Sequence, residues 1–61
     1  MTNYSFSDFR NTSSLGFFEM TVFNENGNVV VVFNGGSKEL INIEREIRSG
    51  TPIEKFKSYY A

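Results

Sequence analysis

The chain contains no cysteine, no histidine and no tryptophan, and a single proline, Pro52. Disulfides are therefore excluded, as are the Cys/His zinc sites that stabilise many small domains. Nucleophile–base triads built on Cys or His cannot be assembled either. Asp8 is the one aspartate. Oxygen-ligand metal sites need clustered acids, and the Asn-rich stretch Asn24-Glu25-Asn26-Gly27-Asn28 carries a single carboxylate. It reads as a turn. Glu44 and Glu46 lie two apart on a helix, so they point to different faces and do not form a catalytic pair. The sequence thus predicts a non-enzymatic protein with no metal and no cofactor.

Charge of one sign is also lacking. Six basic residues face seven acidic ones, a formal net charge of −1. Duplex-DNA binding through phosphates normally needs a basic excess. The longest apolar run, Val29 to Phe33, is five residues, far short of the roughly 20 a membrane helix requires. Met1-Thr2-Asn3-Tyr4 has neither the basic start nor the apolar stretch of a signal peptide. A cytoplasmic location without membrane association is expected.

What the chain does have is aromatic residues: seven Phe and three Tyr in 61 residues. A domain this short buries only about 60% of the surface its unfolded chain exposes. Without cross-links it must pack its aromatics densely or cover itself with another chain.

Read along the chain, residues 1–14 form a Ser/Asn/Thr-rich N-terminal arm punctuated by Tyr4, Phe6 and Phe9. Ser5-Phe6-Ser7-Asp8 fits the start of a helical turn near Asp8–Asn11. Residues 15–61 form a single small domain. Leu15–Phe23 reads as a strand with Phe18, Met20 and Val22 on its core face. Phe17, Glu19, Thr21 and Phe23 lie on the other. Asn26-Gly27 marks a tight hairpin. Val29–Phe33 is a second strand, apolar on both faces. Asn34-Gly35-Gly36-Ser37 then reads as another hairpin turn and Lys38–Ile41 as a third strand.

Lys38–Arg48 also has a helical reading, with Leu40, Ile43 and Ile47 on one face and Ser37 as cap. The expectation adopted is a strand to Ile41, Asn42 as N-cap and a helix Ile43–Ser49. Glu44 and Arg48 form an i, i+4 pair, and Gly50 fits the left-handed position after a helix. Thr51-Pro52-Ile53-Glu54 is a capping box opening a second helix, Pro52–Tyr60. The expected fold is α+β: a three-stranded antiparallel β-meander followed by two short C-terminal helices on one sheet face. Ile43, Ile47, Ile53 and Phe56 complete the core.

The order of these elements resembles the KTSC domain, a small module found alone and fused to lysyl-tRNA synthetases. The likeness spans Ser13 to Tyr60. It rests on Ser14, Gly27, Phe33, Asn34, Gly35, Ser49, Gly50 and Phe56. Ile41-Asn42-Ile43 stands where that family has Val-Pro. The resemblance implies the β-then-α order and little chemistry.

The second sheet face carries Phe17, Phe23, Val30 and Val32 with no obvious cover. Uncovered apolar surface marks an interface. The sequence therefore favours a protein that works by association. It would be a homo-oligomer, a dimer or higher, that binds a larger protein target, as a phage-type inhibitor does by steric occlusion. Phe17, Phe23, Val30 and Val32 are the interface residues, with Tyr59 and Tyr60 as added anchors. Two alternatives stay open. Gly35, Gly36, Ser37 and Lys38 can cradle the phosphate of a nucleotide-like ligand held between subunits. Arg45, Arg48, Lys55 and Lys57, interleaved with tyrosines, can contact single-stranded nucleic acid.

Overall fold

The computed structural model describes residues 3–61; Met1 and Thr2, the first two residues of the expected arm, lie outside the described residues. Four strands and two helices follow in order: β1 (Ser5–Phe6), β2 (Arg10–Asn11), β3 (Phe18–Phe23), β4 (Val29–Gly35), α1 (Ser37–Arg48) and a 3-10 helix (Ile53–Tyr59). The class is α+β, as expected, with an antiparallel sheet.

β3 and β4 form the hairpin read from the sequence. Their register pairs Phe18 with Gly35, Met20 with Phe33 and Val22 with Val31 on one face, and Glu19 with Asn34 and Thr21 with Val32 on the other. The loop is built on Asn24, whose Oδ1 accepts from the amides of Asn26 and Asn28 at 2.9 and 3.0 Å. Gly27 alone takes the left-handed conformation there, at φ +83°. The register slips between Val22 and Phe23, so that Phe23 pairs with Val29 and Val30 is the extra residue of a bulge.

The third lane of the sheet is not Lys38–Ile41. That segment is helical. α1 begins at Ser37, with Gly36 as N-cap and Asn42 inside the helix, and the expected hairpin turn at Asn34–Ser37 does not form. Leu40, Ile43 and Ile47 on one face decide the matter. A helix buries all three against the sheet, whereas a strand to Ile41 would leave Leu40 out of step with them.

The missing lane comes from the N-terminal segment. β1 and β2 both pair antiparallel with β3, on the edge that β4 leaves free. The helical turn expected near Asp8–Asn11 is therefore absent. Between β1 and β2 the pairing shifts by one residue, from Phe6 opposite Val22 to Arg10 opposite Glu19. Ser7 bridges the slip from both sides. Its amide donates to the Thr21 carbonyl at 2.9 Å, and its Oγ accepts the Thr21 amide, also at 2.9 Å. Because that amide belongs to a buried residue, Ser7→Ala leaves it unpaired. The expected result is a loss of about 1–2 kcal/mol in urea-unfolding stability with an unchanged slope. No change would mean that Ser7 does not hold the arm.

The helices end as their chemistry dictates. Gly50, at φ +110°, closes α1. Its amide reaches the Ile47 carbonyl and the Thr51 amide reaches that of Glu46, which together make a Schellman motif. The expected capping box at Thr51 is not formed. Pro52 is the N-cap, and the Thr51 hydroxyl instead donates back to Glu46 Oε1 at 2.9 Å. The second helix is two 3-10 turns meeting at Phe56, whose φ of −107° breaks the helical path so that its ring turns inward. Beyond it, Tyr60 bridges to Phe33, and the Ala61 amide donates to the Val32 carbonyl at 2.8 Å. The end of the chain thus lies along the outer edge of β4.

All core side chains gather between the helices and one face of the sheet. They are Met20, Val22 and Phe33 from the sheet, Leu40, Ile43 and Ile47 from α1, and Ile53 and Phe56 from the 3-10 helix. Phe33 is central, edge-on to Phe56 at 6.3 Å between ring centres. Phe18, assigned to the core from alternation, is half-buried and packs at its margin beside Phe9. Tyr4 and Phe6 join Phe9 on the same side.

Candidate protein-docking face

The arm joins the sheet in plane and turns its aromatics inward. It therefore does not cover the opposite face. There the alternation of β3 sets Phe17, Glu19, Thr21 and Phe23 in a row, and β4 adds Val32 and Asn34. Val29 shares this face through its pairing with Phe23, and Val30 through its alternation with Val31 and Val32. Phe17 is 50% exposed, Val29 60% and Val30 43%, while Phe23 and Val32 are half-buried.

The middle of the face is held by Arg10. Its register partner is Glu19, and its Nη2 lies 3.5 Å from Glu19 Oε1 and 2.8 Å from Thr21 Oγ1. The guanidinium thus donates to the hydroxyl of Thr21, a buried residue. One positive and one negative charge thus stand side by side at the centre, flanked by apolar groups at both ends. Sequence reading missed Arg10, since nothing in a Ser/Asn-rich stretch announces a cross-strand partner.

Leu15 was missed too. Expected inside the first strand, it stands instead in a turn with Gly16 at φ +81°, fully exposed at 100%. The turn is stiff. Thr12 Oγ1 accepts the Ser14 amide at 3.1 Å and donates toward the carbonyls of Ser14 and Phe17, and the Thr12 amide bonds the Phe17 carbonyl. The loop leaves Leu15 open to solvent, two residues before Phe17.

The other residues singled out from the sequence lie elsewhere. Tyr60 packs against Phe33, 5.7 Å between ring centres and tilted by 48°, on the helix side of the sheet. Tyr59 is half-buried, its Cδ1 against Gly35. Neither tyrosine joins Phe17 and Phe23. Gly35 is buried in β4, and the Glu39 carboxylate lies against Gly36, where a Cβ would come within 2.8 Å of Oε2. That places a negative charge beside Gly36, and Ser37 and Lys38 already lie in the first turn of α1, so the expected anion-cradling loop is not formed. Arg45 bonds the Asn42 side chain. Arg48 pairs with Glu44 at 2.9 Å, as the i, i+4 spacing predicts, and lies 4.7 Å from the centre of the Phe6 ring. Lys55 and Lys57 are exposed on the 3-10 helix. The four basic groups thus divide between two elements, with Arg48 already engaged.

Among the described residues no helix is long and apolar enough to cross a membrane. Neither a protein family, nor a curated protein, nor a solved structure matches the chain.

Proposed function

We propose that this chain works by protein–protein association and not by catalysis. Its outer sheet face docks on a larger protein and occludes a site there, as a small phage-type inhibitor of a host or defence protein would. One observation carries this reading. The arm, the available cover for that face, is used as an edge strand with Tyr4, Phe6 and Phe9 turned to the core, which leaves Phe17, Val29 and Val30 open. Interface centres are rich in aromatics and arginine and poor in lysine. This face has Phe17, Phe23 and Arg10 and no lysine.

The test is capture of partner proteins from a host lysate on the immobilised chain. Phe17→Ala and Phe23→Ala should each weaken retention by about 2 kcal/mol, roughly thirtyfold in Kd. The melting temperature should stay near native for Phe17→Ala, since that ring is half exposed. Identical retention by native and variant chains would sink the proposal.

A further inference from the structure

The outer face is complementary to itself, and we infer that its occupant in the absence of a target is a second copy of this chain. The inference rests on the docking reading just given and names the partner. The row along β3 runs Phe17, Glu19, Thr21, Phe23. Two copies stacked outer face to outer face can be related by a two-fold axis that crosses the strands at the level of Met20. That operation exchanges the ends of the row. Phe17 of one copy then lies over the partner's Phe23, Val29 and Val30, and the reverse contact forms at the other end. A two-fold interface of this kind uses one patch on both copies and closes on itself.

The charges obey the same symmetry. The Arg10 guanidinium sits on Thr21, and the axis sets Thr21 opposite the partner's Glu19. Each copy brings one Arg and one Glu, so two identical ion pairs form across the interface, and no unmatched charge is buried. A partner of uniform charge gains nothing from this neutral pair, whereas an inverted copy matches it twice. The extent is also adequate. A stable interface takes about 800 Å2 from each partner, about a fifth of the 4226 Å2 this chain exposes. A dimer must therefore use a whole face, and this is the apolar one. A target and the second copy compete for it, so dimer formation regulates docking.

Sedimentation of the full chain from micromolar to millimolar concentration tests the inference. The native chain should sediment as a dimer. Arg10→Glu and Glu19→Arg each set like charges against one another, and each alone should raise the dimer Kd at least about tenfold. Mixed in equal amounts, the two variants should return to the dimer, because every charge then meets its opposite on the other chain. A monomeric native chain, reversal variants that stay dimeric alone, or a mixture that stays monomeric each overturns the arrangement.

If a reversal variant loses its cooperative melt, thiol cross-linking reads the same geometry in a chain with no cysteine of its own. With a short bis-maleimide, Phe17→Cys and Phe23→Cys should cross-link when mixed. Neither should do so alone, since like positions lie six residues, about 20 Å, apart along the strands. Cross-linking of either variant alone would refute the two-fold. The two readings fail separately: a monomer that still captures a protein through Phe17 removes only the second copy, and a dimer that captures none removes only the target.

Discussion

Phe33→Ala should abolish the folded state at room temperature. Phe33 has no exposed surface. It faces Met20 across the hairpin, meets Phe56 edge-on at 6.3 Å and carries Tyr60 at 5.7 Å. It therefore joins the sheet, the 3-10 helix and the end of the chain in one contact set. Truncating a buried phenylalanine costs about 3–5 kcal/mol. A 61-residue domain holds only about 3–9 kcal/mol in total. The loss thus takes at least about a third of that stability and, at the lower totals, all of it, and a wide cavity cannot close when it lies between three elements. Circular dichroism should show no cooperative thermal transition for Phe33→Ala, while Phe33→Leu keeps one at reduced temperature. A melting temperature for the alanine variant within a few degrees of native would contradict this account of the core.

Removal of residues 1–11 should be as damaging, although none of the described residues among them, 3–11, belongs to the buried core. Their loss takes away both outer strand pairings of β3 and the reciprocal Ser7–Thr21 hydrogen bonds. It also strips Tyr4, Phe6 and Phe9 from the margin of the core, and with them the Phe9–Phe18 contact and the seat of Arg48 on Phe6. Each half-buried aromatic contributes about 1–2 kcal/mol, and what is left is a two-stranded hairpin under two helices. A sheet of two strands is marginal on its own. The shortened chain, residues 12–61, should give a disordered amide spectrum by NMR and melt without cooperativity. A dispersed spectrum would show that residues 12–61 stand as an independent unit with the arm as an accessory.

Those two expectations differ in how far the sequence announces them. The hairpin that carries Phe33 is legible, although the central place of that residue in the core is not. Local alternation sets Phe18, Met20 and Val22 on one face, and an Asn-Gly turn brings the valine strand back over them. Hairpin signals are short in range, so a single sequence carries them.

The start of α1 is half legible. Lys38-Glu39-Leu40-Ile41 satisfies both periods, and only the later isoleucines at 43 and 47 tip it to helix. The packing of Phe6 and Phe9 onto the domain is legible from their being apolar, but the strand pairing of the arm is not, for a physical reason. Its strands are two residues long and are rich in Ser, Asn and Arg, which have little strand propensity. Pairing exists there because β3 offers a free edge, and that edge is a property of the folded sheet. The outer sheet face shows the same division. Phe17, Phe23, Val30 and Val32 follow from alternation alone. Arg10, which holds the centre, arrives with the arm and could not be placed before it.

The edges of the sheet carry a consequence for the kind of assembly open to this chain. A sheet this apolar, with a run of four valines, has the composition from which fibrils grow by endless strand addition. The molecule frustrates that growth at each side. On one side the outermost strand is broken into two-residue pieces by the slip at Ser7, too short to template a stranger. On the other, Tyr60 and Ala61 occupy β4 at Phe33 and Val32, and the bulge at Val30 bends what remains. Strand addition is thereby denied to both margins, and the exposed apolar groups lie on a face instead. Flat surfaces pair off and stop, whereas margins polymerise. A valine-rich sheet is in this way kept from seeding amyloid at its edges.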